Sequence, residues 1–178
     1  MTERVHNFSA GPCTLPLSVL EESQAEFVDY HGAGMSLIEM SHRGKHFVAV
    51  HEEAIDLVRT VYGVPDEFDV LFLQGGATLQ FTMVPMNLLK SGEKGAYVNS
   101  GTWAKGAIAD ARHYGDVYTA WDGMDCNFTR MPNTGEIDIQ SGTRYLHLTS
   151  NETIGGIRFG DWPKVDVPLI GDMSSDYM

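Results

Sequence analysis

The spacing of apolar residues predicts helices and strands that alternate along much of the chain. The clearest helix carries six apolar residues at steps of three and four, so that they share one face. These residues are Phe47, Val50, Ala54, Leu57, Val58 and Val61. The helix is expected to end near Gly63, and a shorter helix is expected from Leu17 to Tyr30, before Gly32.

Short apolar runs between turn residues predict the strands. Residues 68–73 form such a run and predict a buried strand. Further strands are predicted at residues 96–98, 117–121, 144–149, 156–159 and 167–170. Helices are predicted after residues 74–78, with Pro85 as a kink or interruption, and at residues 103–113. This alternation indicates an α/β domain with a largely parallel sheet, in which binding sites gather at the carboxyl ends of strands.

Composition and charge indicate a globular protein and argue against several classes of partner. The 178 residues are enough for one sizeable core, and the hydrophobic fraction of 43% is typical of globular proteins. No apolar run is long enough to span a bilayer, and the first residues lack the apolar segment of a secretory signal, so a cytoplasmic location is expected. The net charge of −12 argues against nucleic acids and anionic membranes as partners. No metal site is expected.

The turn Gly75-Gly76-Ala77-Thr78 lies between a predicted strand and a predicted helix. Two glycines allow the backbone to approach an anion closely, and the helix N-terminus offers N–H groups to a phosphate. The alternative is a tight turn that only caps the helix.

Two further side chains follow predicted strands. Trp103 comes after Asn99-Ser-Gly-Thr102, where its indole could stack on a flat aromatic ligand or fill the core. Thr153 belongs to Asn151-Glu-Thr153, where its hydroxyl could reach a ring oxygen of a ligand or cap a turn.

Asp172 follows the apolar strand that ends at Ile170 and precedes two serines. A carboxylate here is costly to bury without a partner, and a protonated pyridine nitrogen would be a charge-assisted one. In pyridoxal chemistry this pairing keeps the ring cationic and strengthens it as an electron sink. The alternative is that Asp172 or Ser174 caps a helix.

The densest positive cluster of this acidic chain is Arg43 and Lys45, beside His42 and His46. Arginine's planar fork binds a carboxylate or phosphate through two hydrogen bonds. Arg43 is therefore either an anion ligand or a solvated loop residue.

The order and content of these segments resemble those of the phosphoserine aminotransferases, which are class-V, fold-type I enzymes. The similar segments are Asn7-Phe-Ser-Ala-Gly-Pro-Cys13, residues 34–43, residues 72–80, Gly101-Thr-Trp103, residues 150–157 and Asp172-Met-Ser-Ser175. The Ser-His-Arg loop and the Asn-Glu-Thr-Ile segment are the most specific. The resemblance covers essentially the whole chain.

The resemblance implies the large domain of a fold-type I transferase, an α/β/α sandwich with a mostly parallel sheet. Residues 1–178 would form the N-terminal arm and part of this pyridoxal-phosphate-binding domain, which would be incomplete at its C-terminus. The small C-terminal domain would be absent. The Schiff-base lysine would lie beyond Met178, and none of the lysines present occupies the family's position.

The implied activity is that of a phosphoserine transaminase. Such an enzyme transfers an amino group reversibly between O-phospho-L-serine and 2-oxoglutarate, which becomes glutamate, in serine biosynthesis. In many bacteria it also serves pyridoxine biosynthesis. His42 and Arg43 would bind the distal acidic group of the substrate. Because the family is homodimeric, Arg43 could serve the partner's site.

The resemblance also implies seven cofactor-binding residues. They are Gly76, Ala77, Thr78, Trp103, Thr153, Asp172 and Ser174. Residues 76–78 would meet the phosphate of pyridoxal phosphate, and Trp103 would stack on its pyridine ring. Thr153 would lie near the ring oxygen, and Asp172 would pair with the ring nitrogen.

Two other interpretations stay open. The chain could be a non-catalytic fragment that binds pyridoxal phosphate. It could also be another class-V aminotransferase, such as an alanine–glyoxylate aminotransferase, or a cysteine desulfurase, although Ser41-His42-Arg43 argues against that. We expect these 178 residues by themselves to be inactive.

Overall fold

The computed structural model describes residues 4–8 and 14–177 of the chain. The chain divides into two units, Met1–Phe72 and Leu73–Met178. Residues 9–13, which belong to the segment that begins at Asn7, lie outside the described residues, and so does Met178. None of the helices described here combines the length and the apolar character needed to cross a membrane.

The first unit contains helix α1 (Leu17–Glu26) and helix α2 (Lys45–Tyr62). Helix α2 confirms the prediction from apolar spacing, and Gly63 ends it in the left-handed conformation, with a φ of 61°. Helix α1 ends earlier than predicted. Two short 3₁₀ turns, at Tyr30–Gly32 and Leu37–Glu39, follow it before α2 begins.

Residues 68–73 do not form a strand, so that prediction is wrong. Phe68 and Leu71 are 59% and 70% exposed, and no described segment pairs with this run. A strand needs backbone hydrogen bonds to a neighbouring strand, which an apolar run alone does not provide. The guanidinium of Arg59 instead ties the start of the run to α2, because it donates to the carbonyl oxygens of Pro65 (3.1 Å) and Phe68 (2.6 Å).

A four-stranded parallel sheet forms the centre of the second unit, in the order β2-β1-β3-β6. Its strands are β1 (Lys94–Asn99), β2 (Asp116–Asp122), β3 (Thr143–Thr149) and β6 (Leu169–Asp172). Between β3 and β6, strands β4 (Asn151–Glu152) and β5 (Ile157–Arg158) form a small antiparallel pair. The predicted parallel sheet is confirmed. Strand β6 lies two residues later than predicted, so Asp172 is its last residue.

Helices α3 (Gly76–Leu88) and α4 (Thr102–Ala111) pack against each other on one face of the sheet. Helix α3 runs through Pro85, so the predicted interruption does not occur. Proline provides no N–H to the preceding turn, but the carbonyl of Pro85 still accepts from the N–H of Leu89 at 3.0 Å, which keeps the last turn closed.

Two apolar layers bury the strands, since successive side chains of a strand point to opposite faces. On the face of α3 and α4, the layer contains Phe81, Tyr97, Ala107, Ile108, Ala111 and Tyr145. On the other face it contains Ala96, Val98, Ala120, Ile137, Leu146 and Leu148. Ile139, Phe159, Val165 and Val167 are among the partly buried residues that cover this second layer.

The N-termini of α3 and α4 lie at the same edge of the sheet. Helix α4 follows β1 directly, so it begins at the carboxyl edge. The two helices run in the same direction, because a Cβ on Gly106 would be 3.8 Å from Phe81, whereas one on Gly115 would be 2.7 Å from Leu89. Helix α3 therefore also begins at the carboxyl edge.

The two buried tyrosines of the first layer share a hydrogen bond, with 2.7 Å between their hydroxyl oxygens. Burial, together with Tyr145, raises the pKa of Tyr97, so both hydroxyls stay neutral. We expect Tyr97→Phe to lower the free energy of unfolding by about 1–3 kcal/mol, because the hydroxyl of Tyr145 loses its partner. Urea denaturation measures this change.

Tyr145→Phe is the matched variant, and the double variant is the control. Removing both hydroxyls leaves no unsatisfied group, so the double variant should lose less than the sum of the two single changes. Strictly additive losses would contradict the importance of this hydrogen bond.

Candidate active site

The carboxyl edge of the sheet collects polar groups from separate parts of the second unit. They come from the N-termini of α3 and α4, from the turn after β4, and from the end of β6 and the residues after it. The sequence-predicted residues found there are Gly76, Ala77, Thr78, Trp103, Thr153, Asp172 and Ser174.

The N-terminus of α3 is open. Gly75 and Gly76 have φ values of 89° and 60°, which favour glycine, and a Cβ on Gly75 would lie 2.4 Å from the side chain of Leu79. Among the described residues, no side chain caps this helix. The N–H groups of residues 76–78 can therefore receive a phosphate or another anion.

The N-terminus of α4 is already occupied by a carboxylate from the same chain. Glu152 is fully buried and accepts hydrogen bonds from the backbone N–H of Trp103 (3.1 Å), the backbone N–H of Ala104 (2.9 Å) and the hydroxyl of Ser100 (3.2 Å). This helix end cannot take a second anion in the same place. Of these two N-termini, that of α3 has no side-chain cap among the described residues and is open to an anion.

Sequence reasoning missed Glu152. Two signals could have indicated it: Gly101 has no side chain with which to cap α4, and an acidic residue follows the apolar strand β3. The partnership joins residues almost fifty positions apart, so local spacing does not reveal it.

Trp103 lies at the edge of the core. Its side chain is 43% exposed, and its indole N–H donates to the hydroxyl oxygen of Thr153 at 2.9 Å. An indole N–H is only a donor, so Thr153 acts as the acceptor and keeps its own O–H for another partner. Of the two sequence interpretations, the buried core tryptophan is therefore not the one observed.

Asp172 is half-buried at the end of β6, and Ser174 holds one of its oxygens. The hydroxyl and the backbone N–H of Ser174 donate to Oδ1 at 2.5 and 3.2 Å. In the part of the chain that the structure describes, no hydrogen bond reaches Oδ2. The β3–β6 register pairs Asp172 with Thr149, whose buried hydroxyl oxygen also has no partner among the described residues.

A neutral histidine, His147, lies on the same face of the sheet, two residues before Thr149 on strand β3. His147 is 3% exposed, and its ring stacks on Tyr97 with 4.9 Å between ring centroids. Burial lowers the pKa of His147 to about 4, while the nearby Asp172 acts in the opposite direction. Within the described ranges its Nδ1 has no partner.

His42 and Arg43 belong to the first unit and lie on its surface. The backbone N–H of Arg43 donates to the hydroxyl of Ser41 at 3.2 Å, and no described carboxylate pairs with its guanidinium. A nearby cleft of about 510 Å³ is lined by Ser41, Lys45 and others, but not by these two residues.

Two lysines of the second unit contact neighbouring side chains of the same unit. The ammonium of Lys94 donates to Gln140 at 3.2 Å, and that of Lys105 lies 4.1 Å from the ring centroid of Phe128. Among the residues described here, no group of three or more His, Cys, Asp or Glu side chains could hold a metal ion.

Comparison with known proteins identifies the family. Residues 5–166 match the family described as aminotransferase class-V. The chain belongs to the class-V aminotransferases.

Relatives of this class-V chain include phosphoserine aminotransferases. The one from Niallia circulans is 50% identical over 179 residues, which cover 100% of this chain and 49% of the relative. A solved phosphoserine aminotransferase from Bacillus circulans subsp. alkalophilus has a TM-score of 0.94 at 51% identity, covering 99% and 49% of the two chains. A PLP-bound one from Trichomonas vaginalis has a TM-score of 0.90 at 37% identity, covering 98% and 49%. The chain thus spans about half the length of these relatives.

The buried imidazole makes the stability of this class-V chain depend on pH. His147 has an ordinary pKa of 6.5 when unfolded and a pKa of about 4 when folded, so the unfolded state binds more protons between these values. The contribution of neutral His147 to the free energy of unfolding is fully present above pH 6.5. It is lost as the pH falls towards 4, by up to about 1.4 kcal/mol per pH unit.

His147→Phe isolates this contribution, because all other titrating groups are common to both proteins. We expect urea denaturation to give a shallower loss of stability for the variant between pH 6.5 and 4. Parallel curves for the two proteins would contradict a neutral His147.

Proposed function

We propose that this chain forms the cofactor-binding part of a phosphoserine aminotransferase. The reaction is the reversible transfer of an amino group between O-phospho-L-serine and 2-oxoglutarate, with pyridoxal phosphate as cofactor. The proposal rests on three features that lie at one edge of the sheet. They are a helix N-terminus and the indole of Trp103, which Thr153 binds, together with the Asp172 carboxylate, whose Oδ2 no described residue binds. The similarity to phosphoserine aminotransferases supports it.

The residues present fit four chemical features of pyridoxal phosphate, namely its phosphate, its flat ring, its ring oxygen and its ring nitrogen. The open N–H groups of residues 76–78 suit the phosphate, and the indole of Trp103 suits the flat ring. The free O–H of Thr153 can donate to the ring oxygen, and Oδ2 of Asp172 can accept from a protonated ring nitrogen. When bound, the cofactor withdraws electrons from the substrate carbon that carries the amino group.

The roles of the chain's own residues follow from their hydrogen bonds. Ser174 orients Asp172, so that the second oxygen of the carboxylate would accept from the ring nitrogen and favour its protonated form. His147 stays neutral behind it and adds no positive charge that would compete for the carboxylate. The hydrogen bond between Trp103 and Thr153 would hold the indole and the hydroxyl in place for the ring.

Arg43 and His42 are proposed to bind the distal acidic group of the substrate. Phosphoserine and glutamate both carry a second acidic group, which a guanidinium fork can hold in either chemical form. The net charge of −12 makes such a local positive cluster necessary for anionic substrates. The unpaired guanidinium of Arg43 among the described residues is consistent with this role, and in a homodimer it could serve the partner's site.

The lysine that holds the cofactor covalently is proposed to lie outside these 178 residues. The ammonium groups of Lys94 and Lys105 have other partners, as described above. The 178-residue chain by itself would therefore bind the cofactor without catalysing transfer. We place the whole enzyme in the cytoplasm as a homodimer that serves serine biosynthesis and, with a related phosphorylated substrate, pyridoxine biosynthesis.

The cofactor site is tested by Asp172→Asn. The amide cannot pair ionically with a protonated ring nitrogen, so the dissociation constant for pyridoxal phosphate should rise about tenfold or more. Absorbance titration of the purified protein measures it. Asp166→Asn is the matched control, because Asp166 is exposed and precedes β6 at the opposite edge of the sheet.

Equal affinities for both variants and the unchanged chain would contradict the role of Asp172. Borohydride reduction of the same mixtures should trap no cofactor at one specific lysine of the 178 residues. A single trapped lysine accompanied by turnover would overturn the proposed location of the covalent lysine.

The substrate site is tested by Arg43→Ala in the active enzyme. Loss of a two-pronged, charge-assisted contact should raise the KM for phosphoserine and for glutamate about 10- to 100-fold, with little change in cofactor affinity. Arg112→Ala, at the exposed C-terminal cap of α4, is the control. A fall in cofactor affinity instead would mean that Arg43 serves the phosphate of the cofactor.

A further inference from the structure

We propose that Glu152 is a positioning residue that holds Trp103 and Thr153 as one rigid unit against the cofactor ring. The inference rests on the proposed function for the identity of the ring. The contacts behind the inference involve only residues of this chain, because the dipeptide Glu152-Thr153 binds both N–H groups of Trp103. Glu152 accepts from the backbone N–H of Trp103 at 3.1 Å, and Thr153 accepts from its indole N–H at 2.9 Å.

The carboxylate of Glu152 is buried in a site that satisfies it with hydrogen bonds. None of its surface is exposed, and its two oxygens accept three hydrogen bonds from Ser100, Trp103 and Ala104. Burial of a carboxylate without such partners would be strongly unfavourable. Here the positive end of the α4 dipole and two backbone N–H groups compensate the charge.

The carboxylate that caps α4 belongs to Glu152 of strand β4, which is distant in sequence. It therefore also connects α4 to β4, besides stabilising the helix. An ordinary cap comes from the residue next to the helix, but Gly101 has no side chain. A Cβ on Gly101 would lie 2.7 Å from the carboxylate carbon of Glu152, so the glycine makes room for that cap. The first turn of α4 is thereby fixed to strand β4, and any movement of β4 moves Trp103 and Thr153 together.

A purely structural role would make a different prediction from a positioning role. If Glu152 only stabilised α4, its replacement would lower the thermal midpoint and leave the indole's surroundings unchanged in the folded protein. If it positions Trp103, the folded variant should have a more mobile, more accessible indole and a weaker hold on an aromatic ring.

The test compares Glu152→Gln with Glu136→Gln. Glutamine keeps the shape but offers an NH₂ group to at least one of the N–H donors, so one bond to the helix end is lost. Glu136 is the matched control, because it accepts the backbone N–H of Asn133 at a short 3₁₀ turn and is exposed. Both changes are made in the 178-residue chain with Trp121→Phe and Trp162→Phe, so that Trp103 alone fluoresces.

Two readouts are expected to change for Glu152→Gln and to stay constant for Glu136→Gln. The acrylamide quenching constant of Trp103, measured without cofactor, should rise about twofold. The dissociation constant for pyridoxal phosphate should rise about five- to tenfold, the effect of losing one capping interaction. A lower thermal midpoint with both readouts equal to those of the control would overturn the proposal.

The first readout separates this inference from the proposed function. If the unchanged chain does not bind pyridoxal phosphate, the proposed function fails, while the quenching constants still decide the role of Glu152. If Glu152→Gln does not fold, Ser100→Ala removes one of the three hydrogen bonds and leaves the carboxylate in place. A smaller rise in quenching is then expected, and its absence would count against the proposal.

Discussion

The parallel register of the sheet is the constraint on which the candidate site depends. Strands β1, β3 and β6 all run in one direction, so their carboxyl ends meet at one edge. The pairing of Thr149 with Asp172 sets how far the carboxylate extends, and the backbone N–H of Ser150 donates to the carbonyl oxygen of Asp172 at 3.0 Å. A shift of one residue would turn the carboxylate to the opposite face, away from α3 and α4.

The N-termini of α3 and α4 at this edge differ in their electrostatics. Each N-terminus carries a partial positive charge and unsatisfied N–H groups. In α4 the buried carboxylate of Glu152 neutralises them, whereas in α3 two glycines with positive φ leave them open. Of these two helix ends, that of α3 is therefore the more favourable place for an anion in a chain with a net charge of −12.

Sequence reasoning succeeded where the deciding interactions are local. The period of α2 and the alternation of strands and helices depend on residues a few positions apart, and both are confirmed. The strand predicted at residues 68–73 failed because strand formation requires a partner that the run does not specify. Glu152 was missed for a related reason, since its three donors lie about fifty residues away in sequence. Residue types indicated the candidate ligands, but only the fold shows which of their atoms are still unpaired.

The hydrogen-bonding atoms that have no partner among the described residues restrict the chemistry of a fitting ligand more than the residue types do. Thr153 already accepts the indole N–H and still has its O–H to donate, while Oδ1 of Asp172 accepts from Ser174 and Oδ2 can still accept a hydrogen bond. A ring that fits both must carry an acceptor on one side and a donor on another. A phenolic ring without a ring nitrogen would leave the half-buried carboxylate unpaired, and a pyridine without a ring oxygen would leave the hydroxyl of Thr153 unused. A protonated pyridine with an oxygen substituent satisfies both groups, which is consistent with the cofactor proposed above.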